Sequence, residues 1–99
     1  MVTANVVYRL KPDQSDAFVR AYSAAGEILR GVPGCEGLNI HRCVEEPERW
    51  IVQIRWASVN AHLHDFKASP AFAKYLSLVI PFKDSMQEMR HYEEPALSP

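Results

Sequence analysis

Apolar residues recur at two different periods along this 99-residue chain, and the switches between them mark its elements. The opening TANVVYRL, residues 3–10, is rich in β-branched and aromatic residues and predicts a strand. After Pro12 and Asp13 the period changes. Phe18, Tyr22, Ala25 and Leu29 fall three or four apart in SDAFVRAYSAAGEILR, the spacing of one helix face. Ser15 or Asp13 can cap its start, and GVPG at 31–34 ends it. Alternation returns in CEGLNIHRCVE (35–45) and WIVQIRWA (50–57), and the short EPER between them predicts a β-hairpin. Ser58 can cap a helix over 59–68, and Ser69-Pro70 restarts a second over 70–79, stopped by Pro81. SMQEMRHYE, 85–93, predicts a last strand, and EPALSP a frayed tail.

The order β-α-β-β-α-β predicts an α+β, ferredoxin-like domain, a four-stranded antiparallel sheet with both helices on one face. We expect one domain over 1–99, with an ordered core of about 3–93. The third strand presents Trp50, Val52, Ile54 and Trp56 on one side and Ile51, Gln53 and Arg55 on the other. If the tryptophan row faces a cavity, the helices are left with the second row, unless a twist or bulge turns Trp56 over. Two helices cannot shield both faces of four strands. A second copy, packed sheet to sheet, can, so a homodimer forming a dimeric α/β barrel is expected.

Composition narrows the function classes. Eleven basic and twelve acidic residues leave a net charge of −1, with no electrostatic footprint for nucleic acid or anionic lipid. No apolar run approaches the ~20 residues of a membrane span, and MVTANVVYRL lacks a signal peptide's basic and apolar regions. A soluble, cytoplasmic protein is the expectation. Cys35 and Cys43 lie eight apart in one predicted strand, roughly 26 Å, too far to bridge. They fit no zinc spacing and read as small buried thiols. The four glycines, at 26, 31, 34 and 37, fit neither a dinucleotide fingerprint nor a phosphate loop.

Three stretches carry a family resemblance. PGCEGLNIHRCVEEPERW is similar to the strand and hairpin, and IRWASVNAHLHDFKASPAF to the strand-ending tryptophan, serine-capped helix and serine restart, of the antibiotic biosynthesis monooxygenases. HYE closes the last strand in the manner of that family, so the resemblance spans about residues 4–93. It implies the dimeric α/β-barrel fold. Members include cofactor-independent oxygenases of phenolic polyketides and quinols, haem-degrading oxygenases and isomerases, so the residues of the site must choose among them.

Trp56 matches the tryptophan that lines the pocket in the resembled family, although a strand-end aromatic is also ordinary core. His62 shares a predicted inward stripe with Val59 and Phe66 and offers a base for a phenol or enol. His64 falls on the solvent side, so HLH is not a chelating pair. Tyr8 stands where haem-degrading members carry an asparagine, and FAKYLSLV has no histidine where they place their haem ligand. Both departures disfavour haem degradation. Tyr8 can offer a hydroxyl to an aromatic substrate, and Asn39, with His41, polar contacts. Val52, Ile54, Phe66, Phe72 and Tyr75 are candidate pocket walls, each equally at home in a core. Arg9, Arg42, Arg55 and Arg90 are expected to pair with Glu36, Glu45 and Glu88.

Together these residues suit oxidation of an electron-rich phenol or hydroquinone by O₂ without a cofactor or metal. Trp56, His62 and Tyr8 are the expected catalytic residues. A proton-shuttling isomerase or cyclase, and a non-catalytic dimer that binds a small ligand, are the alternatives.

Overall fold

The computed structural model describes residues 1–99. Its elements are β1 (Val2–Arg9), α1 (Ser15–Leu29), β2 (Cys35–Arg42), β3 (Arg49–Trp56), α2 (Pro70–Val79) and β4 (Met86–Tyr92). A π-helical turn, Ala61–Phe66, precedes α2, and a 3₁₀ segment, Ile80–Ser85, follows it. The strands are antiparallel in the order β2-β3-β1-β4, the ferredoxin-like arrangement expected from the order of elements. No helix is long and apolar enough to cross a membrane.

Helix α1 buries Phe18, Tyr22, Ala25 and Leu29, the stripe its periodicity predicts. Its start differs from expectation, because neither Asp13 nor Ser15 caps it. A 3₁₀ turn, Pro12–Gln14, leads in instead, and the Lys11 N–H donates to the Gln14 side chain at 2.9 Å. Ser58 does cap as expected, its Oγ accepting from the Ala61 N–H at 3.0 Å.

The pairing of β1 with β3 runs unbroken from Val2↔Trp56 to Arg9↔Arg49. Ala4, Val6 and Tyr8 therefore lie beside Ile54, Val52 and Trp50 on one face, all buried beneath the helices. No bulge turns Trp56 over. The helices pack on the tryptophan row itself, and any site beside Trp56 lies between helix layer and sheet. Ile51, Gln53 and Arg55 point to the uncovered face, with Thr3, Asn5 and Val7. Two bulges occur elsewhere, between Cys35 and Gly37 of β2 and between Val7 and Tyr8 of β1 against β4.

The hairpin loop is longer than EPER. Strand β2 ends at Arg42, so Cys43 lies in the turn, where its sulfur accepts from the Glu46 N–H at 3.3 Å. Both cysteines are free, and both are half-buried, less buried than expected. The arginines also depart from the expected pairing. Arg90 does meet Glu88, but Arg9 reaches Glu46 at 3.2 Å, and Arg55 donates to the Glu36 carbonyl at 3.3 Å. Arg42 donates to the Pro47 carbonyl at 2.8 Å and lies over the Trp50 ring.

Candidate active site

Trp56 ends β3 fully buried, and the turn after it decides its surroundings. Gly34, at φ +86°, accepts from the Ala57 N–H at 2.7 Å through its carbonyl. A Cβ there would stand 2.9 Å from that of Ala61, so glycine lets the π-helical turn close onto the sheet. In that turn each backbone bond spans five residues, so Ala61 and Phe66 share the buried side with His62. Val59, expected on the same stripe, is turned outward and 41% exposed, because the wider winding rotates it away. His64 is exposed as expected, with Nδ1 3.0 Å from the Asp65 carboxylate.

The His62 ring lies flat on the Trp56 indole, with centroids 4.6 Å apart and planes 5° from parallel. Phe66 packs at the edge of the indole, 5.2 Å from it and 6.4 Å from the His62 ring, and Trp56 Nε1 has no hydrogen-bond partner. His62 Nδ1 is 2.8 Å from His91 Nε2, because the Ala4↔His91 pairing aims that β4 side chain at the helix layer. Burial above all, then the nearby charges of His91 and Lys67, lowers the His62 pKa to about 4. At neutral pH the ring is uncharged. It is therefore a weaker base than its ordinary value suggests.

A second polar group lies at the other end of the same layer. The Tyr8 hydroxyl is 2.5 Å from that of Tyr22, and Phe18 packs against both rings. Burial raises the pKa of Tyr8 and Tyr22, the latter far above the usual phenol range. Burial likewise pushes Tyr75 up to about 12, partly offset by its neighbour Tyr22. All three phenols stay protonated and can donate. Phe66 joins the two ends, 5.3 Å from both Phe72 and Tyr75 and adjacent to Trp56.

The structure thus divides the expected site. Trp56, His62 and Phe66 are in mutual contact, with Phe72 and Tyr75 next along the layer. Tyr8 shares their face but pairs with Trp50, six residues along β3 and roughly 20 Å from Trp56. Val52 and Ile54 are buried in the core floor between those ends. Asn39 pairs with Gln53 on the uncovered face, so the sheet separates it from Trp56, and His41 lies on that face too. The bulge after Cys35 is the cause, because it reverses which side the following residues of β2 face.

A family model for antibiotic biosynthesis monooxygenase matches residues 1–77. The chain belongs to this family. Among solved structures it is similar to a Bordetella bronchiseptica protein provisionally named an antibiotic biosynthesis monooxygenase. The TM-score is 0.79 at 22% identity, covering 95% of this chain and 96% of that one. A mutant of SnoaB, described as a cofactor-independent oxygenase from Streptomyces nogalater, has a TM-score of 0.76 at 13% identity, covering 99% and 96% of the two chains. The uncharacterized protein YczJ of Bacillus subtilis strain 168 is 20% identical over 94 residues, 95% of this chain and 99% of YczJ. At these identities the structural likeness establishes the shared fold.

In this member of the family two residues escaped the sequence. Tyr22 fitted the helical stripe so well that its hydroxyl went unread, and His91 sat in HYE, a marker of the strand end. A groove of about 600 Å³ lies between α1 and β2, lined by Tyr22, Leu29, Cys35 and Leu38 with Glu27, Arg30, Glu36 and Arg55 among its charged residues. Tyr22 belongs to both groove and phenol cluster, and Cys35 is the cross-strand neighbour of Trp56. None of the expected site residues lines the groove itself. No three His, Cys, Asp or Glu side chains converge on a common point, so His62 and His91 stand as a pair.

Proposed function

We propose that this protein is a cofactor-independent monooxygenase of an electron-rich phenol or hydroquinone. The observation that carries this reading is the stacked Trp56–His62 pair. An indole floor and an uncharged imidazole with one nitrogen already hydrogen-bonded form the end of a buried aromatic layer. Family membership and the fold shared with SnoaB support it. A planar aromatic substrate enters by the α1–β2 groove and takes its place against Trp56, displacing Phe66 and Tyr75. His62 accepts the acidic proton of the substrate, leaving an enolate or phenolate. That anion transfers one electron to O₂, and the radical pair combines to a peroxide. At an activated CH₂ the peroxide loses water, so CH₂ and O₂ become C=O and H₂O, and the substrate supplies all the electrons. The free Trp56 N–H donates to the developing oxyanion.

The test is O₂ uptake by protein assayed free of metal and flavin, with anthrone and naphthohydroquinone substrates. Uptake above the spontaneous rate, falling at least tenfold in Trp56→Phe, is expected. Product formed without O₂ consumption would move the reading to an isomerase or cyclase, and saturable binding without turnover to a ligand-binding protein.

We also propose that the uncovered sheet face joins two copies of the chain. Val7 and Ile51 are cross-strand neighbours on it, half-exposed Tyr92 lies at one edge, and Asn5 carries a buried amide oxygen without a partner. A twofold partner would cover the same patch on both copies. Light scattering at micromolar concentration should give about twice 11.3 kDa, and Ile51→Lys about the single-chain mass. A wild-type monomer would refute this assembly.

A further inference from the structure

His62 bonds to His91 through two ring nitrogens, Nδ1 to Nε2 at 2.8 Å, so one of them carries the proton and the other does not. The two arrangements differ chemically. When His62 Nδ1 donates, its own Nε2 is bare and can take a proton from a bound phenol. When His91 donates, His62 Nε2 carries a hydrogen and cannot. The two rings also differ in setting. His62 is 8% exposed, stacked on Trp56 and beside Phe66, whereas His91 is half-buried near the end of β4. Lys67, directly after the π-helical turn, opposes positive charge on His62, while β1 offers Ala4 and β3 Trp56, neither of them titratable.

We propose that His91 is a positioning residue that holds His62 in its Nδ1–H form and accepts that proton as His62 Nε2 takes the phenolic one. The step balances. The substrate O–H breaks as an N–H forms on His62 Nε2, the Nδ1–H bond breaks as one forms on His91 Nε2, and the positive charge ends on the more exposed ring. His91 then releases a proton to water from its other nitrogen. This relay rests on the aromatic-substrate reading above. It explains how a ring held neutral down to about pH 4 can still serve as the proton acceptor. The charge does not stay where burial opposes it.

The experiment combines kinetics with nitrogen-15 NMR of the imidazoles. With an anthrone substrate, His91→Gln and His91→Ala are expected to lower kcat about 100-fold, the low end of general acid–base effects, with KM within twofold. Added imidazole should restore His91→Ala at least tenfold. Gln can accept and donate a hydrogen bond but cannot take up the proton, so near-normal kcat in His91→Gln would reduce His91 to a structural bond and overturn the relay. NMR of the wild-type protein needs no variant to fold. It should show hydrogen on His62 Nδ1 and none on Nε2, and the reverse tautomer would overturn the proposal. Adding 1-naphthol should move the His91 nitrogens toward imidazolium. That shift without any O₂ uptake would sustain the relay and remove the oxygenase reading. O₂ uptake with the reverse tautomer would do the opposite.

Discussion

Replacing Trp56 by alanine is expected to lower stability by about 3–5 kcal/mol, the range for truncating a buried large aromatic. Trp56 is 0% exposed, with His62 flat on its face and Phe66 at 5.2 Å. Truncation therefore removes the floor of both. The cavity cannot refill easily, because Val2 and Cys35 beside it are held by the strand register. A domain of this size has roughly 5–15 kcal/mol in all, so the loss should lower Tm by roughly 15–30 °C. Trp56→Phe keeps an aromatic floor and should cost less than half as much. A thermal melt decides the matter, and a Tm for Trp56→Ala within about 5 °C of wild type would contradict the packing described. The phenylalanine variant then separates chemistry from folding. It removes the indole N–H and half the stacking surface beneath His62, so O₂ uptake should drop while the fold persists.

Acidification from about pH 6.5 to about pH 4 is expected to remove on the order of 2 kcal/mol through His62, allowing for partial solvent screening. The sign follows from the direction of the shift. Burial lowers the folded-state pKa of His62 to about 4, whereas in the unfolded chain it stays near 6.5. Between those values the unfolded chain binds the extra proton, so stability rises with pH across the window. Above it the stabilisation is complete, and below about pH 4 no more is lost through this group. His62→Phe retains an aromatic ring on Trp56 and removes the titration. Its stability, measured by urea unfolding at successive pH values, should be flatter across the window than that of wild type. Identical slopes would mean that His62 is not held neutral by its surroundings.

Much of the fold was legible because burial imposes a period on the chain. Phe18, Tyr22, Ala25 and Leu29 repeat at helical spacing, and all four are buried. Trp50, Val52, Ile54 and Trp56 alternate, and all four lie under the helices. The single contact between Trp56 and His62 was also within reach, since Ser58 starts the next turn two residues after the strand ends. Beyond that point local pattern misleads. The winding of residues 61–66 carries Val59 outward and brings Ala61 and Phe66 to one side, against what an α-helical count predicts. One bulge beyond Cys35 sets Asn39 on the far face of the sheet.

By itself, then, the chain determined which segments are strands and helices, their order, and which of their faces are apolar. These follow from side-chain direction and burial, which act over a few neighbouring residues. Only the tertiary structure decided which polar groups meet. Tyr8 finds Tyr22 across 14 residues, and His62 finds His91 across 29. Such pairings depend on strand register, on where a bulge reverses the pleat, and on how closely a turn can approach the sheet. A displacement of one residue in any of these turns a side chain to the opposite face, and no local period encodes it.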